Sequence, residues 1–313
     1  MNLTLPIAAG LLAVYIFWGG TYLAMKFAIE TMPPFMMAGI RFMTAGAIVY
    51  AWQVYRGASK PTVTQWKNAA IVGGLLLLGG NGGVVWAEQM VSSGIAAIIV
   101  ATVPLWMALI AWLWQGGSRP NGLVMGGLLI GFIGIILLVK GSGSDLSGTT
   151  TPWIGYAALV AASLSWAVGS IYSRIAKLPD APLLAIAMQM LTGGFFCLMF
   201  GIITGESGRF NVMAISLQSA LALGYLIFFG SIVGFSAFIW LLKAADPTIV
   251  STYAYVNPIV AVILGWALAG EQMTLQAALA AVIIVLSVIM ITKGNQQKGK
   301  AFAAPKAAAG KNS

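Results

Sequence analysis

The sequence predicts an all-α membrane protein, with ten transmembrane helices arranged as two inverted-topology repeats of five. Three observations lead there: an apolar composition, ten long apolar runs, and a second half that repeats the first in register. Hydrophobic residues make up 60% of the chain and charged residues 7%, against roughly 45–50% and 25% in soluble domains. A soluble globule of 313 residues could not cover its surface with so few charges, so the bilayer must be most of its solvent.

A membrane helix takes about 20 mainly apolar residues. Runs of that order cover residues 6–25, 34–55, 69–87, 94–114, 121–139, 152–173, 183–203, 217–241, 249–268 and 274–292. Between them stand clusters such as Met32-Pro33-Pro34, Gly116-Gly117-Ser118-Arg119-Pro120 and Leu178-Pro179-Asp180-Ala181-Pro182. Such Pro, Gly and Ser clusters end helices. A membrane β-barrel would show alternating segments of about ten residues, so that class is excluded. No basic stretch precedes the first run, and the run is too long for a signal peptide's apolar region, so it is expected in the mature chain.

Lys and Arg in short loops set orientation. With the N-terminus inside, 12 of the 16 basic residues fall on the inner side, among them Arg56, Lys60, Arg119, Arg174 and Lys243. Lys26, Lys140 and Arg209 fall outside, and Arg41 lies within a helix. Both termini are therefore expected in the cytoplasm of a bacterial-type inner membrane. The net charge of +9 is mostly this topology signal rather than a nucleic-acid footprint. Cys197 stands alone, so no intramolecular disulfide forms.

The halves repeat without a gap between 17–46 and 165–194, at an offset of 148. Trp18 meets Trp166, Lys26 meets Arg174, Pro34 meets Pro182 and Gly46 meets Gly194. At an offset of 154, Gly80 meets Gly234, Trp86 meets Trp240, Pro104 meets Pro258 and Trp112 meets Trp266. The units are residues 1–145 and 146–293, followed by a basic tail at 294–313 expected to be disordered. Five helices is an odd number, so the second unit must enter the membrane from the opposite side. Inverted repeats of this kind place a substrate site near the midplane and convert between mirror arrangements.

Phe17-Trp18-Gly19-Gly20-Thr21-Tyr22, then Pro33-Pro34-Phe35 and Gly39-Ile40-Arg41-Phe42, resembles the opening of the EamA branch of the drug/metabolite transporter superfamily. Leu268-Ala269-Gly270-Glu271-Gln272 is similar to that branch's Gly-Glu ending, whereas the first half has Gln115-Gly116-Gly117 and no Glu. The resemblance covers nearly the whole chain. It implies a ten-helix bundle with a central substrate cavity that exports small metabolites, with neutral and aromatic amino acids among the family's substrates.

Polar groups in a membrane interior are costly unless partnered, which makes them candidates for a site. Asn81 lies in Gly79-Gly80-Asn81-Gly82-Gly83, where it either meets a substrate or joins two helices beside a GxxxG contact. Thr102 precedes Pro104 by two residues and Asn257 precedes Pro258. A proline frees a carbonyl one turn back, which either binds a substrate amine or is satisfied within the kink. Tyr253 is one turn before Asn257 on the same face. Trp18 and Tyr22 are also one turn apart, and Trp166 is the repeat mate of Trp18; these rings either line a cavity or anchor an interface. Arg41 could hold a substrate carboxylate, pair with Glu30 or Glu88, or reach the outer headgroups.

The chain has no His, which excludes His-dependent triads and HExxH zinc sites, and no GxxxxGK[ST] loop. No Asp or Glu falls at mid-membrane depth, which favours facilitated export over proton antiport. A secondary transporter with a small-molecule substrate, contacts to membrane lipid, and no cofactor or metal is the expectation. A drug exporter or a nucleotide-sugar or sugar-phosphate exchanger of the same superfamily is the alternative. An intramembrane enzyme, the alternative of a different class, would need a nucleophile with a base or a metal cluster, and the lack of His and of central carboxylates argues against it.

Overall fold

The computed structural model describes residues 4–87, 89, 90, 96, 99–114, 120–141, 152–269 and 275–303. Among them every regular element is a helix: α1 (Leu5–Ile29), α2 (Pro34–Tyr55), α3 (Val63–Ala87), α4 (Val103–Trp114), α5 (Gly122–Gly141), α6 (Pro152–Ile175), α7 (Pro182–Ile203), α8 (Leu217–Ala244), α9 (Tyr253–Ala269) and α10 (Leu275–Ala303). A single turn, Pro247–Val250, precedes α9. Six of the helices, α1, α2, α3, α6, α7 and α8, are long and apolar enough to cross a membrane, and shorter apolar stretches lie in α4, α5 and α10. Large apolar side chains such as Leu12, Ile48, Trp52, Phe195 and Phe228 are exposed on this bundle, a surface suited to lipid. The protein is a multi-pass membrane protein.

Local sequence sets the helix ends. α2 and α7 are both 22 residues long and begin on Pro34 and Pro182, where a missing N–H costs nothing. Each is followed by a glycine with positive φ, Gly57 at 81° and Gly205 at 77°, a conformation that side-chain-bearing residues resist. Both prolines and both glycines are 148 residues apart. Thr62 and Gln65 form a reciprocal capping box at the start of α3, and Ser216 caps α8.

Two helices widen inside the bundle. α3 does so over Gly74–Gly82 and α8 over Leu226–Phe235, both in π-type turns. Such turns are uncommon and concentrate at functional sites.

Main-chain contact holds α2 against α7. A Cβ added at Gly46 would lie 2.9 Å from Leu191 N, and one at Gly194 would lie 2.7 Å from Met43 N. Gly39 is closed off in the same way by Leu198. Partners fall in number along α7 as they rise along α2, so the two helices run antiparallel. α5 and α10 pair similarly, with Gly127 against Ile291 and Gly134 against Ile284.

Two sequence expectations shift. The helix of α10 runs to Ala303, so residues 294–303 continue it rather than starting a disordered tail. Lys, Gln and Ala are good helix formers, and Asn121 Nδ2 donates to Gly294 O at 2.9 Å. Residues 304–313, like the Gly270-Glu271-Gln272 and Gln115-Gly116-Gly117 segments and Glu88, lie outside the described residues. The second shift concerns the breaks before α4 and α9. Thr102 Oγ1 donates to Ile99 O and Thr252 Oγ1 to Ile249 O, each at 2.6 Å. These matched breaks are 150 residues apart, one helical turn off the register that aligns Pro104 with Pro258.

Candidate functional site

One cavity opens where α1, α2, α3, α4, α6, α8 and α9 meet. Its empty space, counted out to the mouth, is about 730 Å³. Six residues singled out from the sequence line it: Trp18, Arg41, Asn81, Trp166, Tyr253 and Asn257. They come from five helices, α1, α2, α3, α6 and α9, and from both halves. Thr102 does not line it; its hydroxyl is used by Ile99 O and by Trp106 Nε1 at 3.0 Å. The backbone of Tyr22 is helical, and its side chain lies outside what is described. Tyr255 is directed away, donating to Leu128 O of α5 at 3.2 Å.

The aromatic wall centres on Trp18, which is 8% exposed. Its ring meets Trp166 edge-on at 5.6 Å between centroids, Tyr253 at 5.1 Å and Phe238 at 5.0 Å. Trp18 Nε1 donates to Gly230 O in the widened part of α8 at 2.9 Å. The ring fits because Gly234 leaves room: a Cβ there would be 2.5 Å from Trp18 Nε1. The second half mirrors the arrangement in part. Trp166 lies over Gly80 of α3, where a Cβ would meet its Cε3 at 2.7 Å. Trp166 Nε1, however, is buried with no hydrogen-bond partner among the described residues.

Arg41 is 4% exposed, so it does not reach outward to the headgroups. Nε donates to Ser231 Oγ at 2.8 Å, and the guanidinium lies 4.7 Å from the Phe42 ring centroid. Nη1 has no partner among the described residues, and Glu30 is exposed at the end of α1. Arg41 is the one formal charge among the described lining residues. Asn81 Oδ1 and Asn257 Oδ1 are likewise buried and unpartnered. The glycines flanking Asn81 serve packing: Gly79 abuts Ser165 and Gly83 abuts Ala162, both on α6. The metal-type donors His, Cys, Asp and Glu form no group of three among the described residues.

Sequence reasoning missed Gly230 and Ser231, which receive Trp18 and Arg41, and Phe235, which adds to the wall. A glycine–serine pair inside an otherwise apolar run was the available signal. It also missed Glu206, 2% exposed just beyond α7. The Gly205 reversal turns this carboxylate onto the start of α2, where Met36 N donates to Oε2 at 2.9 Å. Burial pushes its carboxyl above the usual carboxylate range, against the opposing pull of the Met36 and Phe35 N–H groups and Arg209.

A profile of the EamA-like transporter family matches residues 5–140 and 153–293. The uncharacterized inner membrane transporter YedA of Escherichia coli (strain K12) is 42% identical over 291 residues, covering 93% of this chain and 92% of that protein. The uncharacterized transporter YvbV of Bacillus subtilis (strain 168) is 26% identical, over 92% of each chain. The WAT1-related chloroplastic protein At3g02690 of Arabidopsis thaliana is 26% identical over 90% of this chain and 68% of its own. A chain of known crystal structure superposes with a TM-score of 0.75 at 21% identity, covering 91% of this chain and 96% of the other, which supports the fold.

Proposed function

Since the chain belongs to the EamA-like transporter family, whose relatives are membrane transporters, we propose that it is a secondary carrier, not an enzyme, exporting small metabolites by alternating access. Neutral and aromatic amino acids are the first substrates to test. The observation that carries this reading is the convergence of Trp18, Arg41, Asn81, Trp166, Tyr253 and Asn257, from both halves, on one cavity. An apolar aromatic wall with a few polar groups suits a small solute with an apolar body.

The inverted-repeat reading draws support from the matched ends of α2 and α7 and from their antiparallel course. The widened segments of α3 and α8, and the breaks before α4 and α9, also fall in corresponding places. Broken helices at the midplane are a recurring carrier device. The reading implies an exchange. Gly230 corresponds to Leu76 at the offset of 154. In the opposite-facing state Trp18 releases Gly230 O, and Trp166 Nε1 takes up Leu76 O.

The cavity's described lining holds no carboxylate, which favours facilitated export over proton antiport. A phosphate-bearing substrate would want several cations, and the lining holds one. The Lys and Arg bias supports a cytoplasmic position for both termini. The test is uptake of labelled amino acids into liposomes holding the purified protein, with and without a pH gradient. Uptake competed by aromatic amino acids and indifferent to the gradient is the expected result. No uptake of any amino acid by folded protein would reject that substrate class, and dependence on the gradient would reject facilitated transport.

A further inference from the structure

We infer that Arg41 is a carboxylate anchor and that the cavity binds apolar monocarboxylates of net charge −1 more tightly than the corresponding zwitterions. This rests on the carrier reading only in using the same cavity. Three observations lead to it. Arg41 is nearly fully buried, its Nη1 has no hydrogen-bond partner among the described residues, and its Nε donates to the neutral hydroxyl of Ser231. No acidic residue stands with it among the described lining residues. The remaining unpartnered polar atoms of the lining are neutral: the amide oxygens of Asn81 and Asn257, and the indole N–H of Trp166.

The electrostatics follow. A buried cation lacking a counter-charge carries a desolvation cost that a partner must offset. A monoanion brings the missing charge, and the ion pair is then neutral. A zwitterion also offers a carboxylate, but its ammonium leaves a positive charge in the cavity with only amide oxygens to face it. An amine without a carboxylate adds a second positive charge and is repelled. The guanidinium's planar fork suits a carboxylate in particular. The two amide oxygens accept hydrogen bonds, so a neutral hydroxyl or amide N–H on the ligand satisfies them without adding charge. The aromatic wall around Trp18 takes the apolar body. The class is therefore an aryl or alkyl monocarboxylate carrying a neutral donor.

The experiment measures binding by calorimetry and ligand-induced thermal shift on the full chain in micelles at pH 7. The probes are 3-phenyllactate, 3-phenylpropanoate, L-phenylalanine and phenethylamine, which share one ring and differ in charge and donor. The expected order of affinity follows that sequence, with phenyllactate at least about tenfold tighter than phenylalanine and no binding of phenethylamine. Arg41→Gln is expected to remove the preference for the anions, and Arg41→Lys to keep the order with weaker binding. Phenylalanine binding as tightly as phenyllactate, an unchanged order in Arg41→Gln, or no binding of any probe to the wild-type protein would each overturn the inference. If neither variant folds, as judged by gel filtration, the wild-type order alone decides. Binding is read without transport, so a failed liposome assay rejects the carrier reading and leaves this result intact.

Discussion

Trp18 and Trp166 hold corresponding places in the two halves and do different things. Each lies on a glycine of the other half, Gly234 and Gly80 respectively. Trp18 also gives its N–H to Gly230 O, while Trp166 Nε1 has no hydrogen-bond partner among the described residues. The same contrast extends one helix along. Arg41 donates to Ser231, whereas its mate Gln189 is fully buried with both amide atoms unpartnered among the described residues. The lesson is that the scaffold repeats while the polar chemistry does not. Trp18 and Arg41 are tied down by hydrogen bonds across the halves; their mates Trp166 and Gln189 are neutral and carry unbonded polar atoms among the described residues.

The largest effect expected is at the tied side. Trp18→Ala removes a buried ring and should cost about 3–5 kcal/mol of stability, and Trp166→Ala measurably less, in denaturant unfolding of the purified protein in micelles. Equal losses would break the contrast. Next is Gly234→Ala, which drives a methyl into the bonded Trp18 and is expected to cost about 1–3 kcal/mol. Gly80→Ala costs less, because the unbonded Trp166 is free to shift. The same unfolding assay separates the two. A finer test removes the N–H together with the five-membered ring that carries it. Both Trp18→Phe and Trp166→Phe lose that packing, but Trp18→Phe also loses one hydrogen bond, about 1 kcal/mol more, while Trp166→Phe slows uptake into liposomes. Unchanged uptake would argue against the proposed exchange.

The smallest effect lies away from the cavity, at Glu206. Its carboxyl titrates above the unfolded value, so the folded state holds the proton more tightly. Stability from this group is complete below the unfolded carboxyl value and is lost as pH rises through the folded one. Glu206→Gln is expected to flatten that fall in thermal-unfolding midpoints measured across the acidic range. A wild-type slope retained in the variant would show that another group sets it.

Much of this was legible because membrane helices announce themselves by length and apolarity. The prolines and glycines bounding α2 and α7 also stand in plain register. The cavity residues were legible because an Arg, two Asn and paired Trp are out of place in apolar runs. Thr102 lies outside the cavity lining for a physical reason, the second of the two readings open at the prolines: a Thr at a helix break satisfies its hydroxyl on its own backbone, at Ile99 O. Gly230 stayed hidden because its role lies in a main-chain carbonyl, which no residue type advertises. Glu206 was hidden because its burial depends on the loop after α7 folding back on α2.

The glycine notches between α2 and α7 have a mechanical consequence. At Gly39, Gly46 and Gly194 one helix bears on the other with no intervening side chain of its own, so no rotamer is available to absorb motion along the seam. Sliding by one residue, about 1.5 Å, would lift Leu191 and Leu198 out of their notches and against neighbouring side chains. Rolling about the line of notches keeps every notch filled. The pair therefore acts as an axle, stiff along its length and compliant about it.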